Sequence, residues 1–235
     1  MGHLGDTILQ QVEQNPYLGI QISADLKWGP HITSLCKRAG STLGFLRRNL
    51  RNCPRECRRL AYITLVRSTL EYGAVVWDPY YKQDVERLER IQRLAARFIM
   101  KDYVSKDPGC VTKMLEYLQL PTLQERRQQL RLTMLFKIIN GLVPALPPDS
   151  FLTPVSVSRR RVKPKAYEGY ESQNILQRQA TNNSRCFKAP TSKTDQYRNS
   201  FFIKTVIEWN NLSEATVTLT TPSAFSSALG GQKPV

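Results

Sequence analysis

The chain has 235 residues, with 34 Lys and Arg against 19 Asp and Glu, and a formal net charge of +15. This length suits one domain or two small ones and allows a core that needs no disulfide or metal to fold. Its 41% hydrophobic and 23% charged residues exclude a wholly disordered chain. The basic excess favours polyanionic partners, nucleic acid first and acidic membrane surfaces second.

No segment predicts secretion or membrane insertion. Residues 1–20 lack the basic start and apolar core of a signal peptide, and no apolar run approaches the ~18 residues of a transmembrane helix. Five cysteines without a secretory signal predict reduced thiols. We therefore expect a location in the nucleus or cytoplasm and no membrane partner.

The N-terminal part predicts short strands followed by a helix. Residues 3–22 contain strand-forming segments with a turn at 5–6, and residues 28–30 close this part. Apolar residues then recur at helical spacing and predict a helix over about 31–50.

A second helix is predicted from its boundary residues. Pro54 suits the first helical position, and Gly73 is a stop signal just after the last apolar residues. A turn is predicted at 77–79, where Trp, Asp and Pro follow one another.

Residues 84–100 give the clearest helical pattern, with one apolar and one basic face. Glu86 and Glu89 each precede an arginine by four residues, which predicts partial neutralisation of the basic face. A salt-bridged surface helix and a nucleic-acid-binding helix are equally compatible with this pattern. The basic face consists of Arg87, Arg90, Arg93, Arg97 and Lys101.

The rest of the chain combines helices with loops. Thr122 and Glu125 form a capping-box pattern that opens a long helix ending at 140–141, and its second half is apolar enough to be buried. The remaining predicted segments are a short helix at 111–118, a proline-rich extended linker at 142–154, a weakly patterned stretch to 199, a helix at 200–209 and a last short helix at 221–229.

Basic residues cluster in two places. Nine bases and one acid lie between residues 37 and 67, and five bases without an acid lie between 159 and 165. A solvated basic surface is the simpler explanation, but arginine predominates and its planar guanidinium suits phosphate. Aromatic residues such as Tyr167 and Tyr170 follow the second cluster and are compatible with base stacking, a weak signal.

The chain lacks the residue patterns of common catalytic sites. Polymerase chemistry needs two metal ions held by closely spaced carboxylates, but the eight aspartates are scattered and no Asp-Asp pair occurs. No phosphate-binding glycine loop is present, and there are only two histidines. His31, Cys36, Cys53 and Cys57 are conceivable zinc ligands, but their spacing matches no zinc motif and favours buried apolar roles. We predict no enzyme activity, no cofactor and no metal site.

Several segments together match one known family. They are YLGIQI (17–22), LKWGPHI (26–32), STLGFLRRNL (41–50), LEYG (70–73), WDP (77–79), LERIQRLAARF (88–98), LPTLQERR (120–127), GLVPALP (141–147) and TNNSRC (181–186). With these segments the chain resembles the C-terminal part of reverse transcriptases from LINE-type retrotransposons of the jockey/CR1-like group.

The resemblance implies a fold and a role. Tyr17, Leu18 and Gly19 would form a palm-edge hairpin that contacts the primer end, although Pro16 replaces the lysine usual in the family. Residues from about 31 onward would form the thumb and a helical extension. In this family the catalytic aspartates and the endonuclease lie upstream of the matching region, so the resemblance implies a nucleic-acid-binding remnant.

We therefore expect a mainly α fold: an N-terminal β-hairpin, a thumb-like helical bundle, and a loop-rich C-terminal part with one or two helices. The expected segments are 1–29 for the palm-edge hairpin, 30–143 for the thumb-like domain, 144–199 for a linker and loop-rich region, and 200–235 for the C-terminal helices and tail.

The predicted partner is RNA or DNA, bound without sequence preference, and the missing polymerase domain is a second possible partner. Alternative functions are a helical protein-interaction module, a non-functional transposon-derived product, and a host DNA-binding protein with a recognition helix within 31–72. The residues predicted to contact nucleic acid are Tyr17, Leu18, Gly19, Lys37, Arg38, Arg47, Arg48, Arg51, Arg55, Arg58, Arg59, Arg90, Arg93, Arg97, Arg159, Arg160 and Arg161.

Overall fold

The computed structural model describes residues 3–4, 7–8, 12–155 and 183–231. Two sets of predictions lie outside these residues: the turn at 5–6, and the second basic cluster with Arg159, Arg160, Arg161, Tyr167 and Tyr170. Within the described residues the chain is mainly helical with a short antiparallel hairpin near the N-terminus, which confirms the predicted fold class.

The strands form two antiparallel pairs, and the remaining elements are helical. Strand β1 (His3–Leu4) pairs with β2 (Thr7–Ile8), and β3 (Gln14–Tyr17) pairs with β4 (Ile20–Ser23). The helices are α1 (Gly29–Asn49), α2 (Arg55–Ala61), α3 (Ser68–Glu71), α4 (Ala74–Trp77), α5 (Lys82–Met100), α6 (Cys110–Tyr117), α7 (Leu123–Ile139), α8 (Pro148–Phe151), α9 (Asp195–Arg198), α10 (Phe201–Asn210), α11 (Glu214–Val217) and α12 (Pro222–Gly231), with a π-helical segment (Tyr62–Arg67) between α2 and α3.

The chain divides into two compact units. The first comprises Met1–Arg131 and Thr194–Asn199, and the second comprises Leu132–Lys193 and Ser200–Val235. The division falls inside α7. The apolar second half of α7 supplies core residues to the second unit. The segment boundary at 143/144 stays a prediction.

The β3–β4 hairpin turns at Leu18 and Gly19, which have φ values of 48° and 79°. Positive φ at both central residues is the signature of the tight two-residue hairpin turn, and glycine adopts it without strain. The Tyr72 hydroxyl donates to the Leu18 carbonyl at 3.0 Å, and the Gln21 amide donates to His31 Nδ1 at 3.2 Å. The hairpin is thus fixed to the start of α1 and to the end of α3.

The core of the first unit is formed by α1, α5 and the helical run from α2 to α3. The predicted apolar faces of α1 and α5 are confirmed, because the apolar residues that recur at helical spacing in these two helices are mostly buried. Leu94, which interrupted the basic face of α5 in the sequence, is 41% exposed. The buried side chains of α1 and α5 include Ile32, Leu35, Ala39, Leu43, Leu46, Leu88, Ala95, Phe98 and Ile99.

The second predicted helix differs from the structure in two details. Helical structure begins at Arg55 after Pro54 and ends before Gly73, as predicted, but its centre is π-helical over Tyr62–Arg67. The predicted turn at 77–79 was partly wrong, since the helical turn α4 extends to Trp77. The Trp77 side chain is fully buried, and apolar packing rather than local turn preference explains this helical turn.

The start of α7 is capped twice. The Thr122 amide donates to the Glu125 carboxylate at 2.9 Å and the Glu125 amide donates to Thr122 Oγ1 at 3.1 Å, which confirms the capping box. The Glu89 carboxylate also accepts hydrogen bonds from the amides of Leu123 and Gln124, at 3.2 and 2.8 Å. Glu89 therefore binds a helix N-terminus and not the basic face of its own helix.

The second unit has its own aromatic core. Phe136 and Phe225 stack with ring centroids 4.6 Å apart, and Trp209 lies 5.6 Å from Phe225. The predicted extended linker at 142–154 is wrong in part, because α8 lies within it and Leu152 is buried in this core.

Of the residues described, no helix is both long and apolar enough to cross a membrane.

Candidate nucleic-acid interface

Five of the predicted bases are exposed residues of α1 and of the loop that follows it. They are solvent-accessible, and within the described part of the chain no carboxylate pairs with any of them. This group, with one further arginine on α5, consists of Lys37, Arg38, Arg47, Arg48, Arg51 and Arg90.

Three predicted arginines on α2 form hydrogen bonds within the protein. Arg58 is 5% exposed; its Nε and Nη2 donate to the Ile99 carbonyl at 3.1 and 2.6 Å, and its Nη1 donates to the Cys53 carbonyl. Arg59 donates to the Leu118 carbonyl at 3.0 Å. Arg55 contacts Glu56 and Tyr117. These contacts tie α2 to neighbouring segments, so Arg55 and Arg59 are less available to phosphate than their sequence cluster suggests. Arg58 is buried, but its three hydrogen bonds leave two of its five N–H donors unused.

The basic face of α5 is also partly engaged. Arg93 pairs with Glu86, and Arg97 donates to the carbonyls of Asp102 and Ser105 at 3.2 and 2.9 Å. Arg87 donates to Asp84 at 3.2 Å and to Thr33 at 2.7 Å. The arrangement for Arg93 fits the salt-bridged alternative, although its partner lies seven residues earlier and not four.

A cleft of about 250 Å³ opens where α1 and α5 end, and we call it the basic cleft. Among the described residues, no carboxylate lines it. Arg47 lies with its guanidinium carbon 4.9 Å from the centroid of the Tyr103 ring, and that tyrosine is 50% exposed. The lining residues are Arg47, Arg51, Asn52, Arg58, Phe98, Lys101 and Tyr103.

The charge of the basic cleft exceeds what the local backbone neutralises. Helix C-termini carry about −0.5 charge each, and they attract cations such as the basic residues in the last turns of α1 and α5. Two such ends offset about one positive charge, whereas four basic side chains line the cleft. The surplus is positive and faces a space large enough for an anionic group.

A second cleft of about 300 Å³ provides a contrast, and we call it the mixed cleft. It too has an arginine over a tyrosine, since Arg55 lies 4.9 Å from the centroid of the Tyr117 ring. Its charged residues are Asp102, Asp107 and Lys113. Hydrogen bonds from Ser105 lower the pKa of Asp102, with a smaller contribution from the Val104 amide, so its carboxylate stays ionised near neutral pH. The mixed cleft therefore repels phosphate where the basic cleft attracts it.

The predicted hairpin residues lie away from the basic cleft. Tyr17 and Leu18 are 63% and 72% exposed at the hairpin tip, so they are accessible to a partner. The hairpin contacts His31 at the start of α1, whereas Arg47 lies sixteen residues further along the same helix. At 1.5 Å per residue, about 24 Å of helix separates the two regions.

Sequence reasoning missed part of the basic cleft. Nothing in the sequence indicated that Tyr103 and Asn52 belong to a binding cleft, because an isolated tyrosine or asparagine in a loop has many structural roles. Lys101 was noted on the basic face of α5 but was left out of the predicted contacts. It has a positive φ of 57° just after the last residue of α5, a position that ends the helix.

The conceivable zinc ligands do not come together. Among the described residues, no group of three or more His, Cys, Asp or Glu side chains could hold a metal ion. His31 is 2% exposed and accepts a hydrogen bond through Nδ1, and burial lowers its pKa, with a smaller contribution from Arg38. Burial also raises the pKa of the Cys36 thiol. His31 and Cys36 thus lie in environments typical of side chains that pack in a core.

Comparisons with protein-family models, curated proteins and solved structures each return no match. The resemblance to LINE-type reverse transcriptases therefore stays a prediction carried by the sequence segments themselves.

Proposed function

We propose that this chain binds RNA or DNA through its phosphates, without sequence preference and without polymerase or endonuclease activity. The observation that carries the proposal is the group of exposed bases on α1 and its following loop, which have no acidic partner in the described part of the chain and continue into the acid-free basic cleft. We further propose that the chain derives from the thumb and post-thumb region of a LINE-type reverse transcriptase.

The binding would depend steeply on salt. Each phosphate neutralised by a lysine or arginine releases condensed counterions, with a slope of about −0.9 per contact on duplex DNA and about −0.7 on single strands. If the five unpaired bases of α1 and its loop contact phosphate, affinity falls by roughly 100- to 500-fold between 50 and 200 mM salt.

Fluorescence anisotropy with labelled oligonucleotides of several sequences across a salt series tests this proposal. We expect similar affinities for all sequences and a linear fall of the logarithm of affinity with the logarithm of salt concentration. Affinity that does not change with salt would reject phosphate-based binding. Strong preference for one sequence would favour a host DNA-binding protein with a recognition helix.

The proposal includes an absence of catalysis by this chain. Primer-extension assays with template, primer, nucleotides and magnesium should give no product above background. Primer extension by the purified chain would overturn this part of the proposal. The proposed origin has a separate test, since an intact or decayed Phe-Ala-Asp-Asp stretch in the genomic sequence upstream would support it.

A protein-interaction module is the second candidate function. Four large apolar side chains between α2 and α4 are more than half exposed: Leu60, Leu65, Tyr72 and Val76 at 62%, 52%, 58% and 57%. Exposed apolar surface of this kind is typical of interaction sites. Size-exclusion chromatography with and without nucleic acid distinguishes the candidates, since a protein-interaction module would self-associate or capture a partner without nucleic acid.

A further inference from the structure

The basic cleft has the features of a subsite for one nucleotide. Its volume of about 250 Å³ lies below the ~300–1,000 Å³ of typical small-molecule pockets, so it offers room for one nucleotide and not for a double helix. Its lining combines basic groups with an aromatic ring, which are the two components that proteins use to hold single strands.

The phosphate of such a nucleotide would find several cationic donors. Arg51 and Lys101 are exposed and have no carboxylate partner in the described part of the chain. Arg58 is held in place by three hydrogen bonds to main-chain carbonyls, and a guanidinium has five N–H donors, so two remain. A buried charge that is already oriented loses little conformational entropy when it binds an anion.

The base of the nucleotide would stack on the Arg47–Tyr103 pair. Arg47 covers one face of the ring at 4.9 Å, and half of the Tyr103 surface remains exposed. Unstacked bases bind to aromatic rings and to guanidinium planes alike. The pair therefore presents two flat surfaces beside the phosphate-binding groups.

We propose that the basic cleft binds one unpaired nucleotide, with its base against Arg47 and Tyr103 and its phosphate on Arg51, Lys101 and Arg58. This inference rests on the proposed function and deepens it, because it makes single-stranded RNA or DNA the preferred ligand. In a duplex the bases are stacked on each other, and one would have to be extruded from the stack before it could enter the cleft.

The substitution Tyr103→Leu tests the proposal, and Tyr117→Leu is its matched control. Tyr117 has the same arginine stack at 4.9 Å and a similar exposure of 60%, but it lines the mixed cleft. The ligands are a labelled 12-nucleotide single strand, as DNA and as RNA, and a blunt DNA duplex of the same sequence. Affinities are measured by anisotropy at one low salt concentration.

We expect Tyr103→Leu to weaken single-strand binding by about 5- to 150-fold, the range for the loss of one stacked base. Duplex binding should change by less than about twofold, since it uses phosphate contacts alone. Tyr117→Leu should leave both affinities unchanged, and Tyr103→Phe should retain single-strand affinity because its ring still stacks.

The outcomes separate the two proposals. If the unsubstituted protein binds neither single strand nor duplex at low salt, the proposed function itself fails. If it binds both but Tyr103→Leu changes nothing, or weakens both equally, only the nucleotide subsite is overturned. Thermal unfolding monitored by circular dichroism identifies any variant whose loss of binding reflects loss of structure.

Discussion

The basic cleft and the mixed cleft of the first unit share an arginine–tyrosine contact and differ in the charges of their lining residues. Each has an arginine whose guanidinium lies 4.9 Å from a tyrosine ring centroid, Arg47 over Tyr103 and Arg55 over Tyr117. Within the part of the chain that the structure describes, four bases and no acid line the basic cleft, whereas two aspartates and one lysine line the mixed cleft. An arginine–tyrosine stack is common on protein surfaces and does not define a site by itself. The charges around the stack determine which ligand each cleft accepts.

The largest expected effect is a loss of stability when Arg58 is replaced, compared with the replacement of Arg55. Arg58→Met removes three hydrogen bonds and leaves the buried carbonyl of Ile99 and the part-buried carbonyl of Cys53 without those donors, so the free energy of unfolding should fall by about 2–4 kcal/mol. Arg55→Met, beside Tyr117 of the mixed cleft, should leave the free energy of unfolding nearly unchanged, because Arg55 is exposed and its ion pair is screened by solvent. Urea unfolding of both variants measures this difference, and equal losses would contradict it.

The next effect concerns binding. Reversing two charges of the basic cleft with Arg51→Glu and Lys101→Glu should weaken nucleic-acid binding by about 100-fold at 50 mM salt and reduce the salt slope by about two. The matched change Lys113→Glu in the mixed cleft should alter affinity by less than about twofold. Anisotropy titrations at several salt concentrations test both. If Lys113→Glu weakened binding as strongly per charge, net charge alone would explain the affinity.

A smaller expected effect is that pH changes the stability of the protein but not its affinity for nucleic acid. Burial holds the native pKa of His31 below its ordinary value, so the unfolded chain binds a proton that the native chain excludes. His31 therefore costs no stability above pH ~6.5, where it is neutral in both the native and the unfolded chain. The free energy of unfolding declines as the pH falls from there toward the lower native pKa of His31. We expect a loss of up to ~1.4 kcal/mol per pH unit in this window.

Urea unfolding at pH 7.5 and 5.5 measures the effect of His31, and His31→Gln is the control that should lack it. The described residues that line the two clefts include no histidine. Nucleic-acid affinity should therefore be nearly constant over the same pH range as long as the protein is folded. A pH-independent stability in the unsubstituted protein would contradict the neutral, buried state of His31.

The smallest expected effect is a gain. Asp107 is exposed in the mixed cleft, and no side-chain partner for it occurs in the described part of the chain. The unsubstituted mixed cleft already repels the strand, so Lys113→Glu should change little, whereas Asp107→Lys replaces one of its two acids with a cation. Asp107→Lys should therefore raise affinity for single strands by roughly threefold, since one new exposed ion pair contributes about 0.5–1 kcal/mol. The control is Glu13→Lys, which changes the net charge by the same amount at an exposed residue that lines neither cleft. No gain from Asp107→Lys, or an equal gain from both, would show that the mixed cleft lies outside the path of the strand.

The sequence predicted the helices better than the way in which their ends form the basic cleft. Helices α1 and α5 were predictable because each buries one stripe of apolar residues, and α7 because Thr122 and Glu125 cap it locally. The basic cleft was not predictable, because Arg47 and Tyr103 are far apart in sequence and meet only where two helices end side by side. Periodicity reports which face of a helix is buried and carries no information about which helix ends become neighbours.

The roles of individual arginines were also hidden from the sequence. Arg51 and Arg58 belong to one basic cluster, yet Arg51 is exposed while Arg58 is buried and donates to main-chain carbonyls. Carbonyls that need a donor arise only when the C-terminal end of α5 reaches α2. A cluster of bases in sequence therefore predicts positive charge but does not identify the members that face solvent.

The hairpin tip and the end of α3 set a constraint on how the chain can diverge. A Cβ atom at Gly73 would lie 2.7 Å from Cδ1 of Ile20, and Gly73 has a φ of +64°. A side chain at position 73 would therefore be strained in the left-handed backbone conformation and would also force the end of the Ile20 side chain to move. Related sequences should mostly keep glycine at 73, and those that replace it should also carry a smaller residue at position 20, a paired pattern that would indicate the docked hairpin.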